Sequence, residues 1–387
     1  MTITMSSNAV MPLIAKQEIS AKLGGASNYQ LFLEALTLVS VPFLLTSPLL
    51  LNGRRNKRVC QFGFILIGLI NFILYSTDLE WHPLMLRCAL GIGYGLTIPM
   101  GQFIISEADL DQKDRVTQFT MMLNLVGTGL FVIPFIAISL LWLGNGDSQY
   151  IFLFLSIIAW TMAAASEYLI SEKFKIYAYN LSSIRLKFQN ILTATGDIIT
   201  IITTRSVYAM VLVWLPEIIK NFDSLQIICL FFTLPRLGWG FVAIPWVKHL
   251  KANLSFASFL LLPLMALAVG LTTGQSAALP ALLVVLSLVS IPEAFTPGQL
   301  VSQWPTTSGR QFGNLVSMML MTVCLSIGPM VLTWISWLAK HLPLVDINNE
   351  YQRSLWLLVL TLPILLIPLR SLWNHHVVKQ LKQKSEN

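Results

Sequence analysis

Five charged residues stand inside long apolar runs, and each has a chemistry it could perform there. Glu34 is the only acidic residue of the run 29–51, where a carboxylate can load and release a proton. Glu293, between Pro292 and Pro297 near the end of the run 277–298, could do the same. Arg87 lies close to one end of the run 84–106. It could bind an anionic solute or act on a neighbouring carboxylate; the competing reading is a structural side chain that snorkels to the interface. Arg205 lies about fifteen residues into the run 191–219, with Tyr208 one turn on. A guanidinium at that depth should face a cavity or a carboxylate. Arg236, between Pro235 and Gly238, could be satisfied by backbone carbonyls that the proline frees.

Other chemistries find little footing. Cys60, Cys88, Cys229 and Cys324 are scattered without a CxxC pair and read as free core thiols. The histidines lie in connectors or the tail, so no metal site and no cofactor is expected. Gly91, Gly93 and Gly95 imitate a phosphate-binding loop, but that motif needs a preceding strand. Inside an apolar run, small residues instead let helices approach closely. The densest polar cluster, Tyr75, Asp78, Glu80, His82 and Arg87, is the one place a membrane-face enzyme could be built.

The elements that hold these residues follow from composition. The chain has 387 residues, 55% apolar and 11% charged. A soluble domain carries about 25% charged residues, so soluble enzymes, nucleic-acid modules and disordered chains are excluded. Eleven runs are long enough to be spans: 29–51, 59–77, 84–106, 118–143, 150–170, 191–219, 225–247, 254–273, 277–298, 312–338 and 353–371. The chain is therefore an all-α polytopic membrane protein. The formal charge of +7 reflects basic connectors more than a nucleic-acid partner. If the connector after the first span is inside, seventeen Lys and Arg lie inside and five outside. This orientation makes the C-terminus cytoplasmic. A polar connector, 171–190, divides the chain into an N-terminal half (1–170), a C-terminal half (191–373) and a basic tail (374–387).

The halves look duplicated. Pro48 and its basic loop match Pro245 before Lys248 at 197 residues, and Gly101-Gln102 matches Gly298-Gln299 at the same offset. Arg115 with Pro134 matches Arg310 with Pro329 at 195 residues. By that repeat Pro12 to Lys16 corresponds to Pro216 to Lys220, yet only eleven polar-rich residues precede Pro12. The first helix of the first half is expected to be truncated, with a complete six-plus-six molecule as the parent form.

Six spans plus six, a polar central connector and basic loops at corresponding places resemble the major facilitator superfamily. The loop Pro48-Leu49-Leu50-Leu51-Asn52-Gly53-Arg54-Arg55-Asn56-Lys57-Arg58 keeps the basic cluster of the family's G-x-x-x-D-R-x-G-R-R motif, with Asn52 in place of the acid. Arg87-Cys88-Ala89-Leu90-Gly91-Ile92-Gly93-Tyr94-Gly95 resembles the family's fourth helix, and Gly127, Gly129 and Pro134 part of the exporters' fifth. The resemblance implies two rocking halves about a midplane site, a cytoplasmic gate in which Asp109 pairs with Arg54 or Arg55, and a solute path that includes Glu34, Arg87, Arg205 and Glu293.

The resulting expectation is a secondary transporter working by alternating access, proton-coupled, and leaning to export of an amphiphilic, drug-like molecule. Its partners are a small-molecule solute, protons and the lipid bilayer, with no nucleic acid and no obligate protein partner. Its place is a bacterial cytoplasmic membrane. The alternatives are a polytopic membrane enzyme of lipid or envelope metabolism, or an inactive truncated transporter.

Overall fold

The structure is a computed structural model. It describes residues 16–50, 55–107, 114–122, 136, 139–169, 197–198, 201–202, 296–298, 300–302, 304, 309–310, 312–314, 316–317 and 319–320. Five helices are bounded among them: α1 (Lys16–Lys22), α2 (Ala26–Leu50), α3 (Arg55–Ser76), α4 (Pro83–Glu107) and α5 (Gln149–Leu169). Residues 114–122 and 139–143 are also helical. No strand occurs among the described residues. Lys57–Ser76 and Gln149–Tyr168, 20 residues each, are long and apolar enough to cross a bilayer, about 30 Å at 1.5 Å per residue.

Local chemistry sets the boundaries. Gly24 and Gly25 take φ of 79° and 132°, a turn that side chains resist, and α2 starts directly after them. That start is three residues before the apolar run that foretold it, because the helix takes in polar Asn28 and its neighbours. At the end of α3 the hydroxyls of Ser76 and Thr77 donate back to the Ile73 carbonyl, and Asp78 and Leu79 then turn left-handed. Pro83 opens α4, where a missing N–H does no harm. The Asp147 carboxylate accepts from the Gln149 N–H at 2.9 Å and caps α5.

The spatial order is α2, α4, α3, α5. Glycines decide how closely these helices meet. On α4, Gly91 and Gly95 are one turn apart and face α2. A Cβ on Gly91 would lie 2.7 Å from the Leu36 carbonyl, and one on Gly95 2.8 Å from the Ser40 carbonyl. Gly93 points the opposite way, towards α3, where it meets Gly63 backbone to backbone. The run is therefore a packing device on two faces, as the apolar context suggested. α2 runs parallel to α4, and α3 antiparallel to both α4 and α5. One contiguous cluster fills the space between them, with Phe32, Ile67, Leu74, Leu90 and Phe152 fully buried.

The outward stripe of α3, Phe62, Ile65, Leu69 and Phe72, is exposed at helical spacing, as a lipid-facing surface must be. Trp81 and Trp142 stand exposed at helix ends, where aromatic belts lie.

Candidate functional site

Arg87 is one turn before Gly91 on the α2 face of α4, and that register drives it into the seam between the two helices. It is fully buried. Its Nε donates to the Phe32 carbonyl at 3.2 Å, and its guanidinium carbon sits 4.8 Å from the centre of the Phe32 ring. A ring face offers a desolvated cation electrostatic attraction. Tyr29 and Tyr94 are buried beside it. Arg87 thus does not snorkel; it is sealed against an aromatic residue. Glu34, two residues beyond Phe32, is half-buried, and its backbone carbonyl accepts from the Thr37 hydroxyl at 2.9 Å.

Near the same end of the bundle a second charged cluster closes over the helix ends. Lys22 Nζ lies 2.8 Å from Glu18 Oε1, 2.5 Å from Asp78 Oδ1 and 3.2 Å from Asp147 Oδ1. Glu18 Oε1 also accepts from the Ser148 N–H and hydroxyl, both at 2.9 Å. Burial pulls the Lys22 ammonium down, but hydrogen bonds to Asp78, Glu18 and Asp147 outweigh it and hold the group above the ordinary lysine value. Burial likewise pushes the Asp78 carboxyl up, and bonds from Lys22 and Gln149 bring it below its usual value. Glu80 and His82 are exposed, while Asp78 is held by Lys22 and Arg87 by Phe32. The residues from Tyr75 to Arg87 are therefore not gathered into one enzyme-like pocket.

At the opposite end, Lys57 Nζ meets Glu167 Oε1 at 2.5 Å and Gln61 Nε2 donates to Glu167 Oε2 at 2.6 Å. This ties the start of α3 to the end of α5. One cation of the basic loop is thus committed to Glu167, a partner that sequence reading did not single out. Arg54, Asp109, Arg205, Arg236 and Glu293 lie outside the described residues, and Arg55 opens α3.

Among the described residues, Gly298 of the later chain packs against the earlier chain. A Cβ on Gly298 would lie 2.7 Å from Phe119 Cβ and 3.2 Å from the Val116 carbonyl. Beside it, Ile201, Leu300 and Trp304 are buried together, with Phe312 and Val316 packed against them. Arg115 and Asp197 are also buried, at 6% and 3% exposure. Sequence reading singled out Arg115 and Gly298 only as repeat markers. Their nearly equal offsets, 195 residues from Arg115 to Arg310 and 197 from Gly101 to Gly298, are the signal available.

No family model and no curated protein sequence matches the chain. Solved structures do. The human organic anion transporter MFSD10 (TETRAN) is similar over 95% of this chain and 97% of its own, at 13% identity and a TM-score of 0.66. The proton:xylose symporter XylE, bound to 6-bromo-6-deoxy-D-glucose, is similar over 93% of this chain and 94% of its own, at 14% identity and a TM-score of 0.59. With the glycine-seamed helices, these likenesses lead to one conclusion: the chain has a fold like that of the major facilitator superfamily.

Proposed function

We propose that this chain is a secondary active transporter in which the parts before and after residues 171–190 rock against each other. The observation that carries the reading is the contact of Gly298 with Val116 and Phe119. Gly298 brings no side chain to this contact, which it makes with the Val116 backbone and the Phe119 Cβ, so the two parts can separate there with little unpacking of side chains. Proton coupling through Glu34 or Glu293 and export of an amphiphilic molecule belong to the same proposal. Arg87 is sealed by Phe32 in this state, and in a state that parts α2 from α4 it would favour a solute with a negative charge and an apolar body. The orientation follows the basic loops, with the Arg54–Arg58 end and the C-terminus in the cytoplasm. One of the similar structures is human, so the fold does not select a bacterial membrane.

The test is flux. A solute would be chosen by thermal shift from amphiphilic anions, drugs, sugars and amino acids, because a ligand of the folded state raises the melting point. Its counterflow would then be measured in proteoliposomes under an imposed proton gradient. Gradient-driven flux that is lost in Gly298→Leu, with solute binding kept, is expected. A solute that binds the wild type but never crosses would overturn the transporter reading.

A further inference from the structure

We propose that the α3–α5 seam is a two-position element: one position is that of the structure, held by Trp160 over Gly68, and in the other Asn71 Oδ1 accepts a hydrogen bond from the Ser156 hydroxyl.

Register brings the two groups to one level. Gln61 of α3 meets Glu167 of α5 at 2.6 Å. Seven residues on, Gly68 meets Trp160, which stands seven residues before Glu167. Three residues further along α3 is Asn71, and the same count back along α5 gives Ile157. Ser156 is one residue from that level, about 1.5 Å of rise. The outward residues at this level are Phe72 and Ile157, both exposed. The inward ones are Asn71 and Ser156, both fully buried.

Their chemistry is complementary. Asn71 Nδ2 donates to the Ile67 carbonyl at 2.9 Å, but Asn71 Oδ1 has no hydrogen-bond partner among the described residues, and neither has the Ser156 hydroxyl. An amide oxygen only accepts, and a hydroxyl can donate. The other two hydroxyls of α5 are satisfied within their helix: Thr161 donates to the Ile157 carbonyl at 2.8 Å and Ser166 to the Ala163 carbonyl at 2.7 Å. Ser156 leaves that ordinary sink unused. Within a bilayer such side chains bond across helices, and one bond here would satisfy both groups at once.

Packing and polar satisfaction thus favour different positions of one seam, which is local frustration. The Trp160 indole in its socket holds the first, and the Asn71–Ser156 bond holds the second. The seam can pass between them. Gly68, Ala159 and Ala163 are small and buried along it, and packed helices shift by about 1–2 Å in such transitions. The tie at the far end can follow, because Glu167 is an exposed carboxylate reached by the long side chains of Lys57 and Gln61.

The experiment is fluorine NMR of the detergent-purified full-length chain carrying 5-fluorotryptophan, with the Trp160 signal assigned by its loss in Trp160→Phe. Two Trp160 signals, or one broadened by exchange, are expected for the wild type. Ser156→Ala and Asn71→Leu should each reduce the minor signal roughly tenfold, or abolish the broadening, as loss of one buried hydrogen bond requires. The swap Asn71→Ser with Ser156→Asn should restore it. A single sharp Trp160 signal in the wild type overturns the two-position seam. So does a minor signal that persists unchanged in Ser156→Ala, since the pair would then not make the second position. The readout is a local equilibrium and not flux, so this inference goes beyond the transport reading and can fail independently of it.

Discussion

The indole of Trp160 on α5 fills the space over Gly68 of α3, so that a Cβ on Gly68 would meet Trp160 Nε1 and Cδ1 and lie 3.0 Å from Cε2. Gly68 is thus the socket for the largest side chain between these helices. Gly68→Ala should destabilise the protein by about 1–3 kcal/mol through overpacking. Gly68→Ala combined with Trp160→Leu should recover part of that loss. Melting temperatures of detergent-purified variants check this; a Gly68→Ala protein as stable as wild type would refute the socket.

Ser156 is fully buried on α5, and its hydroxyl has no hydrogen-bond partner among the described residues. A buried polar group left unsatisfied costs about 1–3 kcal/mol. Ser156→Ala should therefore raise the melting temperature, an outcome opposite to that of most core substitutions. A fall would show that the hydroxyl is satisfied in solution.

Arg87→Lys should not behave as a conservative change. The guanidinium both stacks on the Phe32 ring and donates to the Phe32 carbonyl, and an ammonium cannot repeat that planar geometry. Arg87→Lys and Arg87→Ala should both lower the melting point, and solute binding should be lost in both. Retained binding in Arg87→Ala would remove Arg87 from the solute path.

The Lys22 cluster fixes a pH dependence with a definite sign. Asp78 is held below its ordinary carboxyl value. Its contribution is thus present above that value, about 3.9, and is lost as pH falls through its lower native one. Lys22 is held above the lysine value, so it stays charged throughout that window. The melting temperature should fall on acidification below the carboxylate range, and less so in Asp78→Asn. Equal acid sensitivity in both proteins would place the titrating groups elsewhere.

The Lys57–Glu167 pair ends in an exposed carboxylate, 57% accessible. Salt should weaken it, since screening acts within ~3 Å at about 1 M. The stability difference between wild type and Glu167→Gln should shrink accordingly in a salt titration of the melting point.

Much of this was legible in the residue string because it is local or periodic. The spacing of Gly91, Gly93 and Gly95 foretold helix packing, and α4 and α5 begin within a residue of the apolar runs that predicted them. The Lys22 cluster was not legible. It joins residues 56 and 125 positions apart, and no pattern along the chain connects Lys22 to Asp78 or Asp147. Arg87 shows the middle case. The sequence marked it as a charge in an apolar run, but burial or snorkelling was decided by Phe32, on a helix 55 positions away.

The glycines of α4 also make its length inviolable between Arg87 and Gly95. One residue inserted there would rotate everything beyond it by about 100° about the helix axis. Gly91 and Gly95 would leave the backbone of α2, bulky neighbours would take their place, and Gly93 would lose Gly63 in the same stroke. Substitutions in this stretch can be graded from mild to severe, but insertions and deletions admit no such grading, since each would misalign two helix seams at once.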